Sequence, residues 1–169
     1  MLVQTRPGRY GFPRRRASHR VAVPDLRQDG RVTEDEARRR AGTARVGRLA
    51  SIDENGHPHV VPICFVLADD RVVSVVDQKP KRTSHLRRLD NIRRNPEVQL
   101  VVDHYDDDWS ALWWVRISGR GRVIDSGTPR ETAVDLLAEK YPQYREHRPD
   151  GPVVMIDITW ISSWQATAD

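Results

Sequence analysis

The stretch Val72–Val102, VVSVVDQKPKRTSHLRRLDNIRRNPEVQLVV, runs from a β-branched strand through a basic turn into an amphipathic helix and out again as a second strand. Val72, Val73, Val75 and Val76 make the first strand. Leu86, Leu89 and Ile92 then recur at helical spacing, and Asn95-Pro96 stops the helix, because the residue before a proline is pushed out of helical backbone. Val98, Leu100 and Val102 alternate as the next strand. The turn between strand and helix, Asp77–Ser84, gathers Lys79, Lys81, Arg82, Thr83 and Ser84. A helix start offers unpaired N–H groups and the positive end of its dipole, hydroxyls add neutral donors, and the cations add full charges, which is what a bound phosphate needs. A solvated corner before a surface helix has the same composition, and spacing alone does not separate the two.

On the N-terminal side, Thr33 followed by Glu34, Asp35 and Glu36 has the form of a capping box, opening a short helix that ends near Gly42. Arg45–Asp53 reads as a strand, Glu54-Asn55-Gly56 as a tight turn, and His57–Leu67 as a returning strand through Val60, Val61, Ile63, Phe65 and Val66. With Arg71–Val76 these predict a three-stranded antiparallel meander. On the C-terminal side a long strand spans Leu112–Ile124, where Gly119 and Gly121 permit a bulge or a sharp bend. Thr128 caps a helix with Pro129 at its first position and Ala133, Leu136, Leu137 and Tyr141 as its apolar stripe. Residues 142–152 read as a loop and Val153–Trp164 as the closing strand. The expected fold is mainly β with short helices, a six-stranded antiparallel β-barrel, since only closure removes the edges of so small a sheet.

A chain of 169 residues, 38% hydrophobic, suits one domain with a real core. Residues 1–32 mix Pro, Gly and Arg without a period and are expected to be a basic, disordered or loosely attached extension, leaving 33–169 as the domain. The formal charge of +4 is misleading as a sign of polyanion binding: the first twenty residues carry six arginines and no acid, so the remainder is at −2. Nucleic-acid binding is therefore the least favoured class. No apolar run spans a bilayer and the start of the chain lacks a signal-type apolar region, so no membrane contact and a cytoplasmic location are expected. Cys64 has no second thiol for a disulfide or zinc site and is read as a small core residue. His57 and His59 at i, i+2 have the spacing of metal ligands, but no carboxylate or thiol supports them, and they are read as exposed strand histidines. No metal is expected. Asp106, Asp107 and Asp108 lack the spacing of a calcium loop. No serine or cysteine stands paired with a histidine as nucleophile and base, so no catalytic residue is assigned.

Several motifs in order carry a family resemblance: Gly47-Arg48-Leu49-Ala50-Ser51, Pro58-His59-Val60-Val61-Pro62-Ile63, Asp77-Gln78-Lys79-Pro80-Lys81-Arg82, Asn91-Ile92-Arg93-Arg94-Asn95-Pro96-Glu97-Val98, and Asp103–Trp109 with Trp113–Gly119. From Thr33 to its end the chain resembles the pyridoxamine-phosphate-oxidase-like, FMN-binding split β-barrel superfamily, and within it the branch of deazaflavin (coenzyme F420)-dependent enzymes. The resemblance implies a homodimer with the cofactor between subunits. It points to Val60, Val61, Pro62 and Ile63 beside the ring and to Lys79, Lys81 and Arg82, with Thr83 and Ser84 as hydroxyl donors, at the phosphate. Trp114 and Arg116 of the neighbouring subunit occupy positions where flavin-using members carry Gln and a basic residue. Trp in place of Gln removes a hydrogen-bonding amide and adds an apolar plane, a departure that counts against FMN, the alternative cofactor, and is compatible with a deazaflavin ring packed against an indole. Alternation puts Trp113 and Trp114 on opposite faces of their strand, one inward and one needing a partner, although both also suit core or dimer-interface positions.

Two functions of different class follow. One is an F420-dependent oxidoreductase passing hydride to a small-molecule substrate, chemistry that the cofactor itself carries and that requires no protein triad. The other is a cofactor carrier or sensor without turnover, kept open by the absence of an acid or base motif.

Overall fold

The computed structural model describes residues 30, 32–77 and 86–167. Thr33 caps helix α1 (Glu34–Thr43), its hydroxyl accepting the Glu36 amide at 3.3 Å. Strands β1 (Gly47–Ile52), β2 (Pro58–Ile63), β3 (Val66–Ala68) and β4 (Arg71–Val75) follow, then α2 (Arg87–Arg94) and β5 (Glu97–His104). A 3-10 turn (Trp109–Ala111) leads into β6 (Trp113–Ile124), α3 (Thr128–Lys140), α4 (Pro142–Glu146) and β7 (Val153–Gln165).

The seven strands make one sheet of order β2-β1-β5-β6-β7-β4-β3, with every pair antiparallel. This corrects the expected count of six. The segment read as one strand from His57 to Leu67 breaks at Cys64-Phe65, and its halves join opposite edges of the sheet: β2 pairs only with β1, and β3 only with β4. The expected meander is therefore two hairpins that share a linker. In a flat sheet six inter-strand spacings would separate the edges by about 29 Å, yet the link from Ile63 to Val66 spans at most about 11 Å. The sheet must curl until its edges nearly meet.

Two cores result. Inside the curl lie Leu49, Ile63, Phe65, Val72, Leu100, Val102, Val115, Ile117 and Ile156, with α1 and α2 contributing Ala37, Ala41, Leu89 and Ile92. Outside it, α3 and α4 cover β4 and the start of β7 through Val73, Val75, Val134, Leu137, Tyr141, Tyr144 and Val153. Burial on both sides explains why β4 reads as an unbroken β-branched run. The long strand bends where foreseen, with a register shift between Ser118 and Gly119. Three local readings change. Thr128 is not a cap, because Gly127, at φ 89°, occupies that position and no side chain caps the helix. Residues 142–146, read as loop, form a short helix. His59 is not exposed: it points inward, and its Nδ1 is buried without a hydrogen-bond partner among the described residues, whereas His57 precedes the strand in the open, 3.6 Å from Asp53. Among the described residues no helix is long and apolar enough to cross a membrane. The basic extension falls outside the described residues except for Gly30 and Val32.

Candidate functional site

Strand β2 is an edge, and its register states which backbone groups face outward. The Asp53 amide donates to the His57 carbonyl at 2.9 Å, which makes that facing pair a hydrogen-bonded one. Counting along the register, His59, Val61 and Ile63 turn their amides to β1, while Pro58, Val60 and Pro62 turn theirs to the open edge. Two of those three are prolines and have no N–H. The edge therefore offers one donor, at Val60, flanked by carbonyls, a pattern that resists adding a further strand but suits the donor–acceptor edge of a flat heterocycle.

Side chains alternate in the same way. Val60, 58% exposed, and Pro62 project from the outer face, while Val61 packs inward and Ile63 is buried in the core. Of the four expected ring contacts, Val61 and Ile63 can offer a ligand only backbone. Across the sheet Pro62 stands in a row with Arg48, Val101, Arg116 and Ser162, and Val60 in a row with Ala50, Gln99, Ser118 and Trp160. Trp114 faces Trp164 one row on, while Trp113 turns inward, packed on the core beneath Arg40. Trp113 and Trp114 thus lie on opposite faces, as alternation predicts.

The Arg116 guanidinium lies 5.8 Å from the Trp114 ring centroid, and its Nε donates to Ser162 Oγ at 3.2 Å. Five arginines project from the strands. Arg48 pairs with Asp103, Arg120 with Glu97, and Arg71 and Arg122 with Asp157. Arg116 has no carboxylate among the described residues. Around it the face is aromatic, with Trp160 59% and Trp164 37% exposed. Arg116 and Pro62 share a row but stand three strands apart, about 14 Å, so one protomer does not bring Trp114 and Arg116 onto a ring lying along its own β2.

Lys79, Lys81, Arg82, Thr83 and Ser84 lie outside the described residues. What flanks them is described, and sequence reasoning missed it. Asp77 accepts from Tyr144 Oη at 3.0 Å, and Tyr144 also bonds Cys64. Burial raises the Tyr144 phenol far above its usual range, with Cys64 and Asp77 adding to the effect. Arg88 stands on the far side of the turn; burial lowers its pKa and the charge of Asp77 opposes this. Both ends of the basic segment are thus tied to α4, α2 and the β2–β3 link. No local motif announces this cluster, because its members come from four elements. Among the described residues no three His, Cys, Asp or Glu side chains are grouped to hold a metal.

Residues 33–165 match the sequence profile of pyridoxamine 5'-phosphate oxidase. The fold is similar to that of the conserved hypothetical protein Rv2991 of Mycobacterium tuberculosis, at 20% identity and TM-score 0.67, over 82% of this chain and 88% of that one. It is also similar to a FAD-binding protein of Mesorhizobium loti, at 21% identity and TM-score 0.56, over 81% and 97%. A heme-binding protein of Mycobacterium smegmatis matches at 17% identity and TM-score 0.62, over 79% of this chain and 54% of that one. No curated protein matches the chain.

Proposed function

The chain belongs to the pyridoxamine 5'-phosphate oxidase family, and from that premise we propose that it is a homodimeric oxidoreductase that uses the deazaflavin F420 to reduce a small substrate. FMN is the alternative cofactor. The observation that carries this reading is Arg116, without a carboxylate partner among the described residues and laid against Trp114 on the same outer face as Val60 and Pro62. An exposed aromatic face with a guanidinium that meets no carboxylate among the described residues suits a planar, anionic occupant or a second protein surface, and a cofactor held between two copies supplies both.

In this arrangement the Val60 N–H and the neighbouring carbonyls meet the polar edge of the ring, while Pro62 and the exposed Val60 side chain bound its flat side. Lys79, Lys81 and Arg82, with the hydroxyls of Thr83 and Ser84, hold the phosphate, an assignment resting on sequence. Trp114 and Arg116 of the other copy cover the ring and orient the substrate. The cofactor, once bound, supplies the hydride; the protein supplies anchor, platform and exclusion of water.

Side-by-side fluorescence titration tests the reading. F420 fluorescence should be quenched saturably at micromolar protein, and Lys79→Ala with Lys81→Ala should weaken binding by about 2–4 kcal/mol, as for truncation of charged hydrogen-bonded partners. Binding of FMN with no quenching of F420 would replace this reading by that of a flavoprotein. Saturable F420 binding with no turnover across a panel of reducible compounds would favour a carrier.

A further inference from the structure

A cavity lies farther along the same outer side of the sheet, between the N-terminal half of α3 and the strands beyond the β6 bulge. It measures about 600 Å³, within the range that holds small ligands. Its floor is apolar: Ala68, Val73, Ile124, Ala133, Leu136 and Met155. Its mouth carries Arg71 and Arg122, joined through Asp157, together with the hydroxyls of Thr128 and Thr132.

We infer that this cavity binds an amphiphilic monocarboxylate, the aliphatic body on the floor and the carboxylate between Arg71 and Arg122. Both guanidiniums keep unspent donors. Arg71 gives Asp157 only its Nε–H, at 3.0 Å, and its two terminal nitrogens have no acceptor among the described residues. Arg122 gives one terminal nitrogen to Asp157 and directs the other at Met155 Sδ, 3.0 Å away. A thioether is a weak acceptor, so that N–H is nearly free at the cavity wall. Asp157 is shared by both guanidiniums, and a second carboxylate completes the pairing in the fork geometry that arginine favours. Asp69, which also lines the cavity, offsets the surplus charge. Selection therefore comes from directed donors rather than net charge, and Asp69 sets a penalty against dianions. The site shares none of its lining residues with the proposed cofactor site, so the two stand or fall separately.

The chain has two methionines, Met1 and Met155, so methyl-¹³C methionine labelling places one NMR reporter in the cavity and one far from it along the chain. Titrating full-length protein with decanoate, 1-decanol and decyltrimethylammonium, all below their micellar concentrations, separates the head groups. The Met155 signal should move saturably with decanoate while Met1 stays still. The alcohol and the ammonium should bind at least about tenfold more weakly, and Arg71→Gln with Arg122→Gln should erase that difference, as loss of a charge-assisted pair predicts. Ala133→Leu, which fills the floor, should abolish the shift. Equal affinity for all three compounds, no response of Met155, or a Met155 signal that moves with protein concentration alone, marking a contact between copies, would overturn the inference.

Discussion

The hydroxyl of Tyr141 accepts the Phe65 amide hydrogen bond at 2.9 Å and has two carbonyls within reach for its own proton, Phe65 O at 2.7 Å and Arg45 O at 2.9 Å. Phe65 is half of the two-residue link that carries the chain from one edge of the sheet to the other, so a side chain from the junction of α3 and α4 holds the point at which the sheet curls. Tyr141→Phe keeps the ring and leaves the buried Phe65 amide without its acceptor. The expected loss is about 1–3 kcal/mol of unfolding free energy in urea titration. A change inside about 0.5 kcal/mol, the range of an ordinary surface substitution, would mean that the link needs no such support.

Two glycines on the long strand separate backbone crowding from side-chain crowding. A Cβ at Gly119 would stand 2.5 Å from the Asp157 carbonyl oxygen and 2.6 Å from Ile156, at the register shift itself. At Gly121 its nearest neighbour would be an Ile92 methyl at 3.1 Å, which can give way. Gly119→Ala should therefore cost about 2–3 kcal/mol and Gly121→Ala under about 1 kcal/mol. Equal costs would place the bend somewhere other than Gly119.

Alkaline pH probes the cluster around Tyr141. Burial, aided by the charge of Arg45 and opposed by Cys64, lowers the Lys140 ammonium from 10.5 to about 8, while its Nζ donates to the Ala44 carbonyl at 2.7 Å. The folded state then holds fewer protons than the unfolded chain between those values, so stability should rise as pH climbs from about 8. Burial raises the phenols of Tyr141 and Tyr144 above their ordinary 10.0, and above that pH the unfolded chain loses protons first and stability should fall. Lys140→Met should remove the rising limb and keep the falling one. A rise that survives the substitution belongs to another group.

Acid pH probes α1. Hydrogen bonds from Arg39 and then Arg40 lower the Glu36 carboxyl from 4.5 to about 2. The stabilisation is complete above the ordinary value and is lost as pH falls through the window towards about 2. Glu36→Gln should flatten that part of the curve of melting temperature against pH, and an unchanged slope would show that the exposed pairs contribute nothing.

Much of the fold was legible because its signals are local. Asn55-Gly56 marks the first hairpin, Thr33 the first cap, the stripe Leu86, Leu89 and Ile92 the second helix, and Gly119 the bulge. The break at Cys64-Phe65 has no such signal: neither residue is a glycine or proline, and Pro62, two positions earlier, stays within β2 with its nitrogen turned to the open edge. Site residues divide along the same line. The period of two already places Val61 and Ile63 opposite Val60 and Pro62, so naming four consecutive residues as ring contacts ignored a pattern present in the chain. That Arg116 is the one strand arginine without a carboxylate among the described residues was not legible, because it depends on which acid each of the others meets across the register.

In the proposed dimer each site is completed by a second copy, and subunit complementation tests this most directly. One variant carries Lys79→Ala with Lys81→Ala, the other Trp114→Ala with Arg116→Gln, and each alone should bind F420 poorly at both sites. Unfolded and refolded together, half of the dimers contain both chains, and one of their two sites is built only from unaltered segments, so about a quarter of the wild-type site number should return at wild-type affinity. No recovery in a mixture shown by sedimentation to be dimeric, or a wild-type chain that binds the cofactor while remaining monomeric, would contradict the account.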